Sequence, residues 1–294
     1  MKIDHLDSWA RSHFDYFLDA VRIYLGIGLL FKGISFLAHP EALASLNGTA
    51  LAGLVPLVPY IHIIGGALMT FGVLTRVAAV VNIPILFAAV FLVHAPDVNA
   101  IRGREGFEFS ALVLFLLCLI AIQGAGPFSV LRMRSAATAE KPVQAPTRWI
   151  HEHPDLFADL IRIYLGVGLF VKGMYIMDHR DEMMAMLNGG QNMSLMMVAA
   201  AHYVIPAHFV GGALLICGML SRWAAAAQIP PLLGAIFYAF LPRFASMEMR
   251  QSLEFTTLVL FLLALVTVFG AGRFSMEYAG RKSLALAPNW QPVH

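Results

Sequence analysis

Charge is what this chain has least of. Only 13% of its 294 residues are Asp, Glu, Lys or Arg, whereas 59% are hydrophobic. A soluble domain carries about 25% charge. Together with a mean hydropathy of +0.72, this excludes an ordinary soluble globule and points to an integral membrane protein. The net charge of +2 gives no basis for a nucleic-acid partner. Cysteine is nearly absent. Cys118 and Cys217 both fall in apolar stretches, so no disulfide framework or thiolate metal site is expected, and they read as small core residues. The first residues, MKIDHLDSWARSHFDYF, lack a compact apolar core followed by a cleavage site, so the first span is expected to stay in the mature protein. No nucleotide or flavin fingerprint is present, because the GAG sequences follow apolar spans rather than strands.

What the chain has instead is long hydrophobic runs. Eight are close to the 20 residues needed for a helical crossing. They predict an all-α, polytopic fold with spans at Phe17–Leu37, Leu54–Leu74, Val77–Ala95, Phe107–Gln123, Phe157–Met177, Leu195–Leu220, Trp223–Pro242 and Leu253–Phe269. Residues 131–154 are polar, proline-containing and basic, and read as a cytoplasmic linker. The expected organisation is a first membrane domain over 1–130, the linker, and a second membrane domain over 155–294 with a short tail.

The two halves repeat each other. DAVRIYLGIGLLFKG (Asp19–Gly33) matches DLIRIYLGVGLFVKG (Asp159–Gly173) at ten of fifteen positions, and HIIGGALMTFGVLTR (His62–Arg76) matches HFVGGALLICGMLSR (His208–Arg222) at eight. EFSALVLFLLCLIAIQGAGPFS (Glu108–Ser129) recurs as EFTTLVLFLLALVTVFGAGRFS (Glu254–Ser275). The offset changes from 140 to 146 between the first and second spans, so the extra residues lie in the loop before His208. Internal repetition of this kind decides architecture. Two four-helix units with an even number of spans each are expected, related as parallel repeats. Lys and Arg are more numerous in the loops on the side of the termini and linker, which places both termini in the cytoplasm.

The candidate chemistry lies toward the outer ends of the helices. His62 and His208 sit within spans, where a polar ring is a functional hypothesis by default. The neighbouring glycines allow close helix approach and hold the imidazole off the lipid. Lys32 and Lys172 fall at the same depth, as do Glu108 and Glu254 at the start of the fourth and eighth spans. His94, Arg102 and His202 are nearby candidates. The bland readings are snorkelling for the lysines and favourable helix-dipole placement in a first turn for the glutamates. Asp19–Arg22 and Asp159–Arg162, spaced i,i+3, read as structural ion pairs, and Arg76 and Arg222 as boundary anchors. Met183, Met184, Met186, Met193, Met196 and Met197 read as gap-filling residues rather than a copper site, and no metal ligands are assigned.

The order RIYLGIGLLFKG, HIIGGALMTFGVLTR and GAGPFS, with its duplication, resembles the DoxX/DoxD-type family of four-span membrane proteins, here as a tandem pair over about Phe14–Val130 and Asp155–Met276. The resemblance implies a four-helix bundle per unit in a bacterial or archaeal cell (inner) membrane. It also implies a redox and respiratory-chain association, because members resemble the small quinone-reducing subunit of thiosulfate:quinone oxidoreductase. Two departures stand out. An acidic residue is frequent in the family where His62 and His208 stand, and only the second copy keeps an acidic residue, Glu277, after its GAG motif.

Three readings follow. In the first, the chain interacts with quinone and serves as subunit or partner of a membrane oxidoreductase. His62, His208, Glu108 and Glu254 then act in proton exchange, and Lys32 and Lys172 help bind the quinone, because imidazole can hydrogen-bond a carbonyl or shuttle a proton near neutral pH. In the second, it is an accessory subunit of a larger respiratory or secretion complex without chemistry of its own. In the third, His62 and His208 ligate a haem or metal between the repeats. Lipid and other membrane or redox subunits are the expected partners.

Overall fold

The computed structural model describes residues 9–10, 12–48, 52–99, 101–130, 153–179, 202–243 and 246–285. Among these residues every regular element is helical. The helices are α1 (Phe14–Ala38), α2 (Val58–Phe71), α3 (Thr75–Ala88, continued as a π turn over Ala89–His94), α4 (Ile101–Gln123), α5 (Pro154–Asp178), α6 (His202–Cys217, with a π turn over Ala207–Gly211), α7 (Ser221–Gly234, continued as a π turn over Ala235–Phe240), α8 (Met247–Phe269) and α9 (Met276–Ala285). Two 3-10 segments, Pro40–Gly48 and Ala52–Leu57, join α1 to α2.

Seven helical stretches are long and apolar enough to cross a membrane: Phe14–Ala38, Ala52–Phe71, Thr75–His94, Arg104–Gln123, Asp155–Asp178, Ser221–Arg243 and Met249–Phe269. The sixth expected span differs. Residues 195–201 of it lie outside the described residues, and the described part, His202–Cys217, is apolar but shorter than a full crossing. The methionine cluster also lies outside the described residues.

Contacts divide the chain into two compact units, Asp15–Pro154 and Asp155–His294 with Met1–Phe14. In the first, α3 packs along α4 and against α2. Phe17, Leu116 and Leu117 are wholly enclosed, whereas Phe31 and Ile64 stand on its outside. In the second, α7 packs along α8, Ile161, Leu262 and Leu263 are enclosed, and Trp223 and Tyr238 face outward. Large apolar side chains on the outside of a well-filled core are what lipid contact permits and water disfavours. Cys217 is exposed and Cys118 half-buried, so Cys217 is not the core residue it was expected to be. It is the last residue of α6 and lies on that helix's open side.

The turn between the second and third helices of each unit is tighter than hydropathy suggests. The expected spans ran to Leu74 and Leu220, but the helices stop at Phe71 and Cys217. Gly72 and Gly218 there adopt φ of +71° and +67°, the left-handed glycine stop. Leu74 and Leu220 follow with φ of +49° and +48°, a conformation that costs a non-glycine residue about 1 kcal/mol or more. Hydrogen bonds on both sides hold it: Val73 N–H donates to Leu68 O, and Ala78 N–H to Leu74 O, at 2.9 and 3.0 Å. Hydropathy could not see this stop, because Val73 and Leu74 are themselves apolar.

Candidate functional site

The glycines of the repeated motif set how closely the helices approach. A Cβ on Gly66 would meet Leu30 N at 2.5 Å and Gly26 O at 2.6 Å, both backbone atoms of α1, and a Cβ on Gly26 would meet Thr70 N at 2.7 Å. On the other side of α2, a Cβ on Gly65 would collide with the Asn82 amide nitrogen of α3. Helix α2 is therefore held against the backbone of α1 on one side and the Asn82 side chain of α3 on the other. His62, three residues before Gly65, is carried inside, 4% exposed.

Around His62 the structure brings together several expected residues. Its ring lies 5.8 Å from that of Phe36. The Lys32 ammonium stands over Phe36 at 5.5 Å and over Phe109 of α4 at 5.9 Å. It is within electrostatic range of both His62 and His94. A cation within about 6 Å of an aromatic ring is attracted to its face. Glu108 pairs with Arg104 at 3.0 Å. It was expected in a first helical turn, but α4 begins at Ile101, so it lies two turns in. Glu254 lies correspondingly far inside α8, whose start at Met247 is capped by the Ser246 hydroxyl accepting from Met249 N–H at 3.2 Å. The helix-dipole reading therefore gives way, for Glu108, to an i,i+4 ion pair. The side chain of Arg102 lies outside the description.

Among the described residues His62 Nδ1 is buried without a hydrogen-bond partner, and so are Asn82 Oδ1 and, in the second unit, Gln228 Oε1. The Asn82 amide nitrogen donates to Ala78 O at 2.8 Å, which identifies the other atom as the oxygen. Buried polar atoms are nearly always satisfied, and the Asn82 amide lies against Gly65, one turn along α2 from His62, so these two orphans are candidate ligand contacts. Asn82 and its copy Gln228 were missed at the sequence level. The available signal was a carboxamide at the same place in both third spans, VVNIP and AAQIPP.

The second unit repeats the scaffold with changes. A Cβ on Gly212 would meet Gly166 O and Phe170 N, both at 2.8 Å, and His208 is buried at 6% exposure. Here the helix carries a π turn over Ala207–Gly211. His208 Nδ1 pairs with Val204 O at 2.9 Å, and Gln228 Nε2 donates to Ala207 O at 2.5 Å. Lys172 stands 6.0 Å from the Tyr175 ring, and His202 is exposed. Spacing differs too. A Cβ on Gly33 would meet Pro59 O at 2.6 Å and Ile63 N at 2.8 Å, whereas on Gly173 the nearest atom is His208 Cβ at 3.1 Å. Gly33→Ala is therefore expected to lower the melting temperature in detergent by several degrees, and Gly173→Ala by clearly less. Equal losses would show that the π turn does not widen this gap.

At the opposite end of each unit, the Asp–Arg pairs tie three segments together. Asp19 and Arg22 are each 1% exposed. Arg22 Nε donates to Asp19 Oδ1 at 2.6 Å, its Nη1 to Met69 O and, at 3.1 Å, to Thr70 O, and its Nη2 to Phe128 O at 3.4 Å. Asp19 Oδ2 accepts from Phe128 N–H at 2.5 Å. Arg162 and Asp159 repeat this with Leu215 O, Ile216 O, Phe274 O and the N–H groups of Gly272 and Phe274. The structural reading of these pairs holds. Their partners explain the GAG motif, since a Cβ on Gly126 or Gly272 would enter the aspartate carboxylate. Glu277, the acidic residue kept after the second GAG motif, accepts from Ser221 N–H at 3.0 Å.

Among the described residues no group of three or more His, Cys, Asp or Glu is placed to hold a metal ion. A sequence model of the DoxX family matches residues 17–95 and 157–241, which together are more than half of the chain. Each match takes in three of the helices of one half and stops short of α4 or α8. No curated protein and no solved structure matches.

Proposed function

This chain belongs to the DoxX family, and on that premise we propose that it is a redox-associated membrane protein that interacts with quinone as the subunit or partner of a membrane oxidoreductase. It is a multi-pass membrane protein with two family segments. In the reading adopted here it crosses eight times as two parallel four-helix bundles in a bacterial or archaeal inner membrane, with both termini in the cytoplasm.

The observation that carries this reading is His62 Nδ1, buried in an apolar interior without a partner among the described residues. A neutral imidazole there can donate to a quinone carbonyl or accept from a quinol hydroxyl. Lys32, held over Phe36 and Phe109, supplies positive potential where a reduced oxygen would gather charge. Glu108 with Arg104 offers an exchange route toward the outer end. Reduction of a quinone to a quinol takes two electrons and two protons. The protons are what these side chains handle, and the electrons come from a flavin, haem or iron–sulfur centre of the partner.

The test is lipid extraction and quinone assay of the protein purified in mild detergent. Wild type is expected to carry quinone. His62→Phe is expected to lose roughly 10- to 100-fold in affinity for added short-chain quinone, the worth of a hydrogen bond of about 1.5–3 kcal/mol in a dry site. Wild type that carries none and binds none would end the proposal. If it also migrated only inside a larger assembly, the accessory-subunit reading would take its place.

A further inference from the structure

The two histidine sites descend from one motif, but their hydrogen bonding is not the same. In the first unit His62 Nδ1 and Asn82 Oδ1 are both buried and unpartnered. In the second, His208 Nδ1 is paired with Val204 O and Gln228 Nε2 donates to Ala207 O, while Gln228 Oε1 is left unpartnered like Asn82 Oδ1, so the units differ at the imidazole and not at the carboxamide oxygen. The π turn over Ala207–Gly211 disturbs the local i→i−4 ladder, and Gln228, one methylene longer than Asn82, reaches across to a carbonyl there. Asn82 instead turns back to Ala78 O of its own helix. The surroundings diverge in the same sense. At the positions of His94 and Glu105 the second copy has Phe240 and Gln251.

We propose that the halves divide the labour: only the first unit binds, at His62 and Asn82, and it takes the hydroxyl-bearing reduced form of the ring. The second unit's histidine, already paired with Val204 O, is structural. This rests on the quinone reading above and specifies it. The preference for the reduced form follows from Asn82. Its nitrogen is committed to Ala78 O, so the oxygen left over can only accept, and a ligand must bring a donor. A hydroquinone hydroxyl is such a donor, whereas a quinone carbonyl would leave Asn82 Oδ1 buried and unsatisfied. His62 serves either form, because its Nδ1 donates or accepts according to tautomer. Gly65 aligns the pair: its missing side chain admits the Asn82 amide, and His62 lies one turn away on the same face of α2.

The experiment is imidazole nitrogen NMR of the full chain labelled with 15N-histidine in detergent, with His62 and His208 assigned through His62→Phe and His208→Phe. A short-chain benzohydroquinone, kept reduced, is titrated in, followed by its oxidised form. Shifts at His62 and none at His208 are expected, with the hydroquinone binding at least tenfold tighter than the quinone and Asn82→Leu erasing that preference. Shifts at His208, or at both rings, would overturn the division of labour while leaving the quinone reading intact. No shift at either ring with either form would overturn both. Thermal melting gives a ligand-free check that does not depend on Asn82→Leu folding. His208→Phe is expected to lower the melting temperature by several degrees and His62→Phe to leave it unchanged or raise it. The reverse order would overturn the proposal.

Discussion

Arg22→Met is expected to destabilise the first unit by about 3–5 kcal/mol, the cost of leaving a buried carboxylate without its counter-ion. Asp19 is 1% exposed and has no water to turn to. Its remaining partner, Phe128 N–H, cannot neutralise it. The substitution also releases the carbonyls of Met69, Thr70 and Phe128, which Arg22 holds together. Arg22→Lys should recover only part of this, because a single ammonium cannot serve as a planar fork to three carbonyls and a carboxylate. Asp19→Asn combined with Arg22→Met should recover more, because no buried charge is then stranded. Arg162→Met should behave likewise in the second unit. Melting or denaturant unfolding in detergent reads the result. An Arg22→Met protein as stable as wild type would show that the pair does not hold the first helix to the GAG turn.

Gly66→Val comes next in size. Its new side chain would run into Leu30 N and Gly26 O, and these belong to the backbone of α1, which has no rotamer to yield. The helices must separate, at a cost of about 1–3 kcal/mol or more for overfilling a packed interior, and His62 loses its enclosure with them. Gly28→Val is the control, since a Cβ there meets nothing within 4 Å and should change little. The same contrast is expected between Gly212→Val and Gly168→Val, because Gly212 sits against Gly166 O and Phe170 N whereas Gly168 is open. A Gly66→Val protein that melts with the Gly28→Val protein would remove close helix approach as the reason for the glycine stripe.

Much of the candidate site was legible in the sequence, because a polar residue inside an apolar run is conspicuous and its recurrence at a fixed offset more so. That logic singled out His62, His208, Lys32, Lys172 and the Asp–Arg pairs as candidates. It passed over Asn82 and Gln228, since a single carboxamide is easily taken for a neutral filler. It placed Glu108 too near a helix start because Ile101–Gly106 carries charge, and charge reads as loop to a hydropathy window. Arg104 is instead helical and pairs with Glu108 one turn on. The ends of α2 and α6 were set too late for the opposite reason, since Val73 and Leu74 are apolar yet lie in a left-handed turn.

From residue types and their spacing alone came the membrane class, the helical content and the duplication, because crossing lipid demands long apolar helices and repetition survives in any alignment of a chain with itself. Tertiary structure decided what equal motifs do. Val204 O pairs with Nδ1 of one imidazole while Nδ1 of the other has no partner among the described residues, and a single methylene in Gln228 is spent on a π turn that α2 does not have. Hydrogen bonding depends on tenths of an ångström between separate helices, and such distances are set by packing rather than by the order of residues along the chain.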